Sequence, residues 1–291
     1  MNSLRIHNNP SIIVNKMEKK KRFKSYLAIA GFFIGSGFGL LFAFSWNELV
    51  IVLNLVEGAW LAVISGIIRI IILVIMSSIL FAKWFKQETI YTSDAYFLFA
   101  LFFSILIVGK IYDIYNNLIV VSDNATAEFV LLITKIRYLI VTINIMPVLY
   151  IGLETTLALI SAYAKNVNKS QFNKIRLGIV GIYLAIVLFI IIIAPTLSAL
   201  IFALPYFTIG IYLLLAIMFF FMYKNKRLSQ ANALLIGIAF LCLIASSIIR
   251  SIITSIALET PSMIVVAEVV TIIVNFVIFI GFITKPKYAK M

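Results

Sequence analysis

The chain has 291 residues, of which 63% are hydrophobic and only 12% charged, with a formal net charge of +13. A soluble domain carries about 25% charged residues, and a water-soluble fold of this size could not hide so much apolar surface; lipid is the solvent that fits, in one apolar domain rather than two soluble ones. Nucleic acid is excluded as a partner because the basic residues cap apolar runs and form no stripe interleaved with aromatics.

Residues 1–25 are polar and basic, with Lys19, Lys20, Lys21, Arg22 and Lys24 close together. An apolar run follows from Tyr26 to about Phe44, too long for a signal-peptide core, and reads as a retained first helix. Seven further spans are expected by the same length criterion: Trp60–Phe81, Ala95–Tyr115, one within Glu128–Tyr163, Leu177–Ala194, Phe207–Tyr223, Ala231–Arg250 and Met263–Ile283. The expected fold is all-α, an eight-helix transmembrane domain over residues 26–283 with a tail at 284–291. Two stretches resist simple counting. Ser45 to Ala59 reads as either an extension of the first helix or a short interfacial one. The fourth run is about 36 residues, roughly 54 Å if wholly helical, and reads as one protruding helix bent at Pro147.

Charge sorts along this pattern. Segments 1–25, 82–94, 164–176, 224–230 and 284–291 hold 19 of the 24 Lys and Arg residues. The alternate connections hold acids, namely Glu48, Glu57, Asp123 and Glu259. The positive-inside rule then puts both termini in the cytoplasm, and the expected location is the cell membrane. Trp46 and Trp60 at outer ends and Trp84 at an inner end suit interface anchors. Thr260 and Pro261 fit a cap and first position for the last helix, and Ser93 or Asp94 can cap the third.

Chemistry in such a chain is sought among charges inside spans, because burying them in lipid is expensive. Arg69 stands near the middle of the second span, about 21 Å above Lys83 at 1.5 Å per residue. Glu154, about 16 Å above Lys165, and Glu268, about 25 Å above Lys285, are both at depths where they could meet it. Such a pair either locks helices together or marks a ligand or ion site. Lys135, Arg137 and Arg250, with Lys110 and the tyrosines at 112, 115 and 138, either anchor at the outer boundary or line an outward pocket for an anion. Asn144 and Asn275 are expected to hydrogen-bond between helices.

In the first helix, Gly31, Gly35 and Gly39 form two overlapping G-x-x-x-G patterns, suited to packing inside the chain or against a second copy. Asn124-Ala125-Thr126 and Asn168-Lys169-Ser170 match the glycosylation pattern, only the first on an outer connection.

Several enzyme classes lack their residues. The single cysteine, Cys242, and the single histidine, His7, leave no disulfide, zinc, haem or iron–sulfur site, and no cofactor is expected. A histidine-dependent serine hydrolase has no membrane histidine, and the three aspartates, Asp94, Asp113 and Asp123, offer no aspartyl pair. No catalytic residue is assigned and the expectation is a non-enzyme.

Lys135-Ile136-Arg137-Tyr138, followed by Met146-Pro147-Val148-Leu149-Tyr150, resembles a pattern in the seven-helix N-terminal input modules of some histidine kinases. In those modules a basic-aromatic cluster opens a helix and a proline follows about ten residues on, after an aromatic-rich outward helix such as Tyr96–Tyr115 here. The resemblance implies that spans two to eight are a seven-helix sensor core and the first helix an addition. It departs in the output domain, for which the eight residues after the last span leave no room. The resulting expectation is a receptor or sensor that signals through a separate cytoplasmic partner. The alternatives are a small-solute or ion transporter and a structural subunit; besides the lipid bilayer, the expected partner is that cytoplasmic protein or a second copy of the chain.

Overall fold

A computed structural model describes residues 10–122, 125–163, 169–226, 228–229, 231–256 and 261–289. The side chains of 10–17, 19, 155, 158–163, 169–170, 201–205, 249–256, 261–264 and 289 are not described, so Arg250 is placed only as a helical position. Asp123, both glycosylation asparagines, Glu259 and the expected cap Thr260 also fall outside the described residues.

Every regular element among the described residues is helical. The helices are α1 (Pro10–Phe44), α2 (Trp46–Leu55), α3 (Ala59–Phe85), α4 (Ala95–Val120) and α5 (Ala127–Tyr163), then α6 (Lys169–Ile193), α7 (Leu197–Lys224), α8 (Ala233–Ile256) and α9 (Pro261–Ile283). Seven of them are long and apolar enough to cross a membrane: α1, α3, α4, α5, α6, α7 and α9. This is the architecture of a multi-pass membrane protein. The apolar part of α8 described in full, Ala233–Ile248, is shorter.

Local chemistry sets the helix ends. Gly58 adopts φ 80° between α2 and α3, a left-handed turn that a side chain would strain. It separates the short α2 from α3, while a turn at Ser45 (φ −100°, ψ 12°) separates α2 from α1, so Trp46–Leu55 is a distinct helix and not an extension of the first. α6 stops at Ile193, two residues before Pro195, which disfavours helix in the residue ahead of it. Thr196 caps α7, its Oγ1 accepting from Ala199 N at 3.3 Å. Asp94 occupies the corresponding position before α4 but makes no side-chain cap bond; its carboxylate accepts instead from Tyr91 N at 3.2 Å. The fourth apolar run is one 37-residue helix with Pro147 inside it.

Six helices close a ring in the order α3, α4, α5, α7, α8, α9, with α9 packing back on α3. α6 lies outside α5 and α7, while α1 and α2 lean on α4. Phe99 and Phe282 stack at 3.6 Å between α4 and α9. Ser77 Oγ on α3 donates to Ala100 O on α4 at 3.0 Å, a polar bond that ties two spans in lipid. Trp84, read above as an interface anchor, is fully buried. Its indole meets Phe23 and Phe97, each at 4.9 Å, and Nε1 donates to Tyr91 O at 3.0 Å. The polar end of the ring is thus satisfied by a loop and not by the membrane boundary. Trp46 and Trp60 are exposed.

α1 differs from its expected form at both levels. It begins at Pro10, so described residues of the basic segment are helical and continuous with the apolar run. It touches the bundle in two places, through Phe23 against Trp84 and Phe97 and through Phe38 and Phe42 against Tyr112 and Tyr115. Residues 28–37 between these places are all exposed. A methyl group added at Gly31, Gly35 or Gly39 would meet nothing within 4 Å. The glycines therefore do not pack α1 against its own bundle, because bulky phenylalanines hold the helix off on either side.

Candidate functional site

The site is built on one stripe of α4. Lys110, Asp113 and Asn117 recur at intervals of three and four residues, which places them on one face of the helix. From that face Lys110 reaches toward α9 and Asp113 toward α5. Lys110 Nζ lies 2.5 Å from Glu268 Oε1, with both side chains 5% exposed. Arg69 on α3 approaches the other oxygen, Nη1 to Oε2 at 3.0 Å. Asp113 Oδ1 accepts from Arg137 Nε at 2.5 Å. Four helices of the ring, α9, α3, α4 and α5, are thereby joined through charge.

Gly66 gives the Lys110 stem room in this geometry. A Cβ there would stand 2.9 Å from Ile114 Cδ1 and 3.2 Å from Lys110 Cε, so any larger residue must displace the Ile114 or Lys110 side chain at the α3–α4 contact. The lysine stem then runs across the α3 backbone to the carboxylate.

Among the described residues the cluster contains three cations, Arg69, Lys110 and Arg137, against two carboxylates, Asp113 and Glu268. Arg69 Nε is buried without a hydrogen-bond partner, as are Asn144 Oδ1 and Asn275 Nδ2. The two asparagines expected to bond between helices therefore each keep one unpaired polar atom. An unpaired group in a low-dielectric interior is costly.

Directly beside the cluster is a cavity of about 370 Å³. It lies where the α2–α3 turn, the last turns of α4 and the first turns of α5 meet. Lys110, Arg137, Asn116, Asn117, Thr134 and Tyr138 supply its polar wall. Val52, Val56, Val63, Ile114, Leu118 and Leu197 supply the apolar one. Glu57, an exposed residue of the α2–α3 turn, also contributes to the lining. Thr134 Oγ1 donates to Asn116 Oδ1 at 3.4 Å across the wall.

The residues singled out in the sequence divide between this site and other places. Arg69 pairs with Glu268, whereas Glu154 pairs with Arg176 at 3.0 Å, and that guanidinium lies 3.9 Å over the Tyr150 ring. Glu154 is nearly half exposed there, which suits a boundary pair. Lys135 does not line the cavity; its Nζ donates to Ile192 O at 3.0 Å on an exposed face. Arg250 lies outside the described side chains. Tyr112 and Tyr115 are also absent from the cavity wall, because Tyr112 donates to Ile133 O at 3.0 Å and Tyr115 shares a 2.9 Å bond with Ser45. Sequence reasoning missed Lys110 as a partner of Glu268 and Asp113 as a partner of Arg137. Their signal is two opposite charges three residues apart inside one span. No group of histidine, cysteine and acidic residues suited to a metal occurs among the described residues.

No family model matches the chain, and neither a curated protein nor a solved structure is similar to it.

Proposed function

We propose that this is a non-enzymatic membrane receptor that binds a ligand in the cavity beside the buried charge cluster. The topology in this reading has eight spans, α8 being the seventh, with both termini cytoplasmic and the cavity open to the outside. The 24 residues of α8 extend roughly 36 Å, enough for a hydrocarbon core. Lys83, Lys86, Lys224 and Lys285 fall toward one end of the bundle and Glu48, Glu57 and Glu128 toward the other, which favours this orientation. Lipid covers the apolar outer faces, such as Ile67, Ile71 and Ile75 on α3.

The observation that carries the function is the cavity itself, lined by two cations of a cluster that joins four helices. Buried charge in a membrane protein is expensive and marks ligand or ion pathways. A ligand that changes the balance of charge there acts on several helices at once, and a separate cytoplasmic partner then reads the change through the short inner loops. A transporter is the second reading, favoured by the ion pair of Arg69, near the middle of α3, with Glu268, neither of which lines the cavity. The uncovered stretch of α1 favours an assembly role or a second copy as partner.

A thermal-shift screen of the purified chain against ions, lipids and small metabolites tests the proposal, since a ligand of the native state raises its stability. A saturable hit without flux in sealed vesicles is the result expected of a receptor. Flux of the same compound assigns transport instead, and a screen with no hit contradicts both.

A further inference from the structure

We infer that the slot between α1 and α4 holds an anionic glycerophospholipid, with its phosphate on the lysines at one end and an acyl chain against the glycines of α1. The slot is separate from the cavity, and the inference needs only that the chain crosses a membrane.

The charge stands at one end of the slot. Lys20 and Lys24, one turn apart on α1, lie against the C-terminal end of α3. Lys20 Nζ donates to Gln87 O at 2.6 Å, and Lys24 Nζ is 5.3 Å from the centre of the Phe85 ring. Lys83 and Lys86 belong to the same end of α3, and Lys21 to the same turn of α1. None of these lysines is in an ion pair among the described residues. Of the acids nearby, Glu18 is taken by Arg22, Asp94 accepts from Tyr91 N, and Glu88 is exposed. Lys24 and Lys83 flank apolar runs, the level at which lipid headgroups lie. Lysines clustered at that level attract anionic lipid.

The slot follows from the phase of α1. Phe23, Leu27, Gly31, Gly35, Phe38 and Phe42 recur at intervals of three and four residues and so share one face. The phenylalanines of this face reach α4, Phe23 meeting Phe97 at 5.4 Å and Phe38 meeting Tyr112 at 6.5 Å. A methyl group at Gly31 or Gly35, between them, would meet nothing within 4 Å. Opposite, Leu101, Ile105 and Val108 continue the α4 face of Phe97 and Tyr112, and all three are only half-buried. The walls are therefore apolar from one aromatic contact to the other. From Phe23 to Phe38 α1 rises roughly 22 Å at about 1.5 Å per residue, and one leaflet of a hydrocarbon core is about 15 Å deep. A single acyl chain fits that length. A parallel helix of a second copy would set its own lysines against these, whereas a phosphate is drawn to them.

The test uses the full chain in a neutral detergent, with thermal unfolding and light-scattering mass as readouts. Dioleoylphosphatidylglycerol is expected to raise the melting temperature saturably, and dioleoylphosphatidylcholine and inorganic phosphate are not. Lys20→Gln with Lys24→Gln is expected to weaken the phosphatidylglycerol response about tenfold or more. Lys224→Gln with Lys226→Gln removes the same charge at the end of α7, across the ring from α3, and is expected to leave the response unchanged. Gly31→Leu fills the slot from an open position; it is expected to weaken the response comparably while leaving the lipid-free melting temperature in place. No response to phosphatidylglycerol, an equal one to phosphatidylcholine, or an equal loss in both lysine pairs overturns the headgroup site. An equal response to inorganic phosphate overturns the lipid, and an unchanged response in Gly31→Leu overturns the acyl chain in the slot. A dimer that Gly31→Leu splits gives the slot to a second copy instead. None of these outcomes bears on the receptor reading, because neither Lys24 nor Gly31 lines the cavity.

Discussion

Arg69 and Glu268 are separated by 199 positions in the chain, yet they meet at 3.0 Å across the contact between α3 and α9. Lys110 takes the other oxygen of the same carboxylate. Glu268 is therefore the shared counter-ion of two cations, and the loss of one partner is not equivalent to the loss of another.

Glu268→Gln leaves Arg69 and Lys110 facing each other without their carboxylate. It is expected to cost about 3–5 kcal/mol of stability, the range for a buried pair broken on one side. Arg69→Met removes a cation and an unpaired Nε while leaving Lys110 on Glu268, and is expected to cost under about 2 kcal/mol. Chemical unfolding in detergent compares them; equal losses would show that Glu268 is not shared.

The Asp113 and Arg137 pair bridges α4 and α5. A double-mutant cycle with Asp113→Asn and Arg137→Gln is expected to give a coupling of about 1–3 kcal/mol. Strictly additive losses, measured by the same unfolding assay, would remove the pair from the account.

Gly66→Val crowds Lys110 and Ile114, which line the cavity. The Ile114 and Lys110 side chains must then shift, or the α3–α4 contact must open. A loss of about 1–3 kcal/mol is expected, together with weaker ligand binding. Gly35→Val on the uncovered face of α1 is expected to leave monomer stability within about 0.5 kcal/mol.

The tryptophans give a sharp contrast. Trp84→Ala empties a fully buried site against Phe23, Phe85 and Phe97 and is expected to cost about 3–5 kcal/mol. Trp46→Ala and Trp60→Ala, both exposed, should fall near about 0.5 kcal/mol in detergent.

The helices were legible because each span must satisfy its backbone internally and stay apolar over about 20 residues, a signal carried by the local sequence. Arg69 was legible as a costly charge, and counting from Lys83 and Lys285 put Glu268 within its reach. The choice between Glu268 and Glu154 was not, because it depends on α9 closing the ring against α3, a contact between distant segments. Lys110 was hidden for the same reason, since its depth alone does not reveal that Gly66 lets it cross α3. The burial of Trp84 followed from α1 bringing Phe23 over it, and an end-of-span tryptophan reads the same whether lipid or another helix covers it.

The central claim is that the cavity and its charge cluster open to the outside of a membrane that the chain crosses repeatedly. Labelling with a membrane-impermeant thiol reagent tests it most directly, on intact cells expressing the chain with Cys242→Ser as background. Glu57→Cys, an exposed position of the α2–α3 turn, and Glu88→Cys, exposed at the other end of α3, are compared. The account predicts that Glu57→Cys labels on intact cells and Glu88→Cys only after permeabilisation. Labelling of Glu88→Cys alone on intact cells would contradict it and turn the cavity toward the cytoplasm.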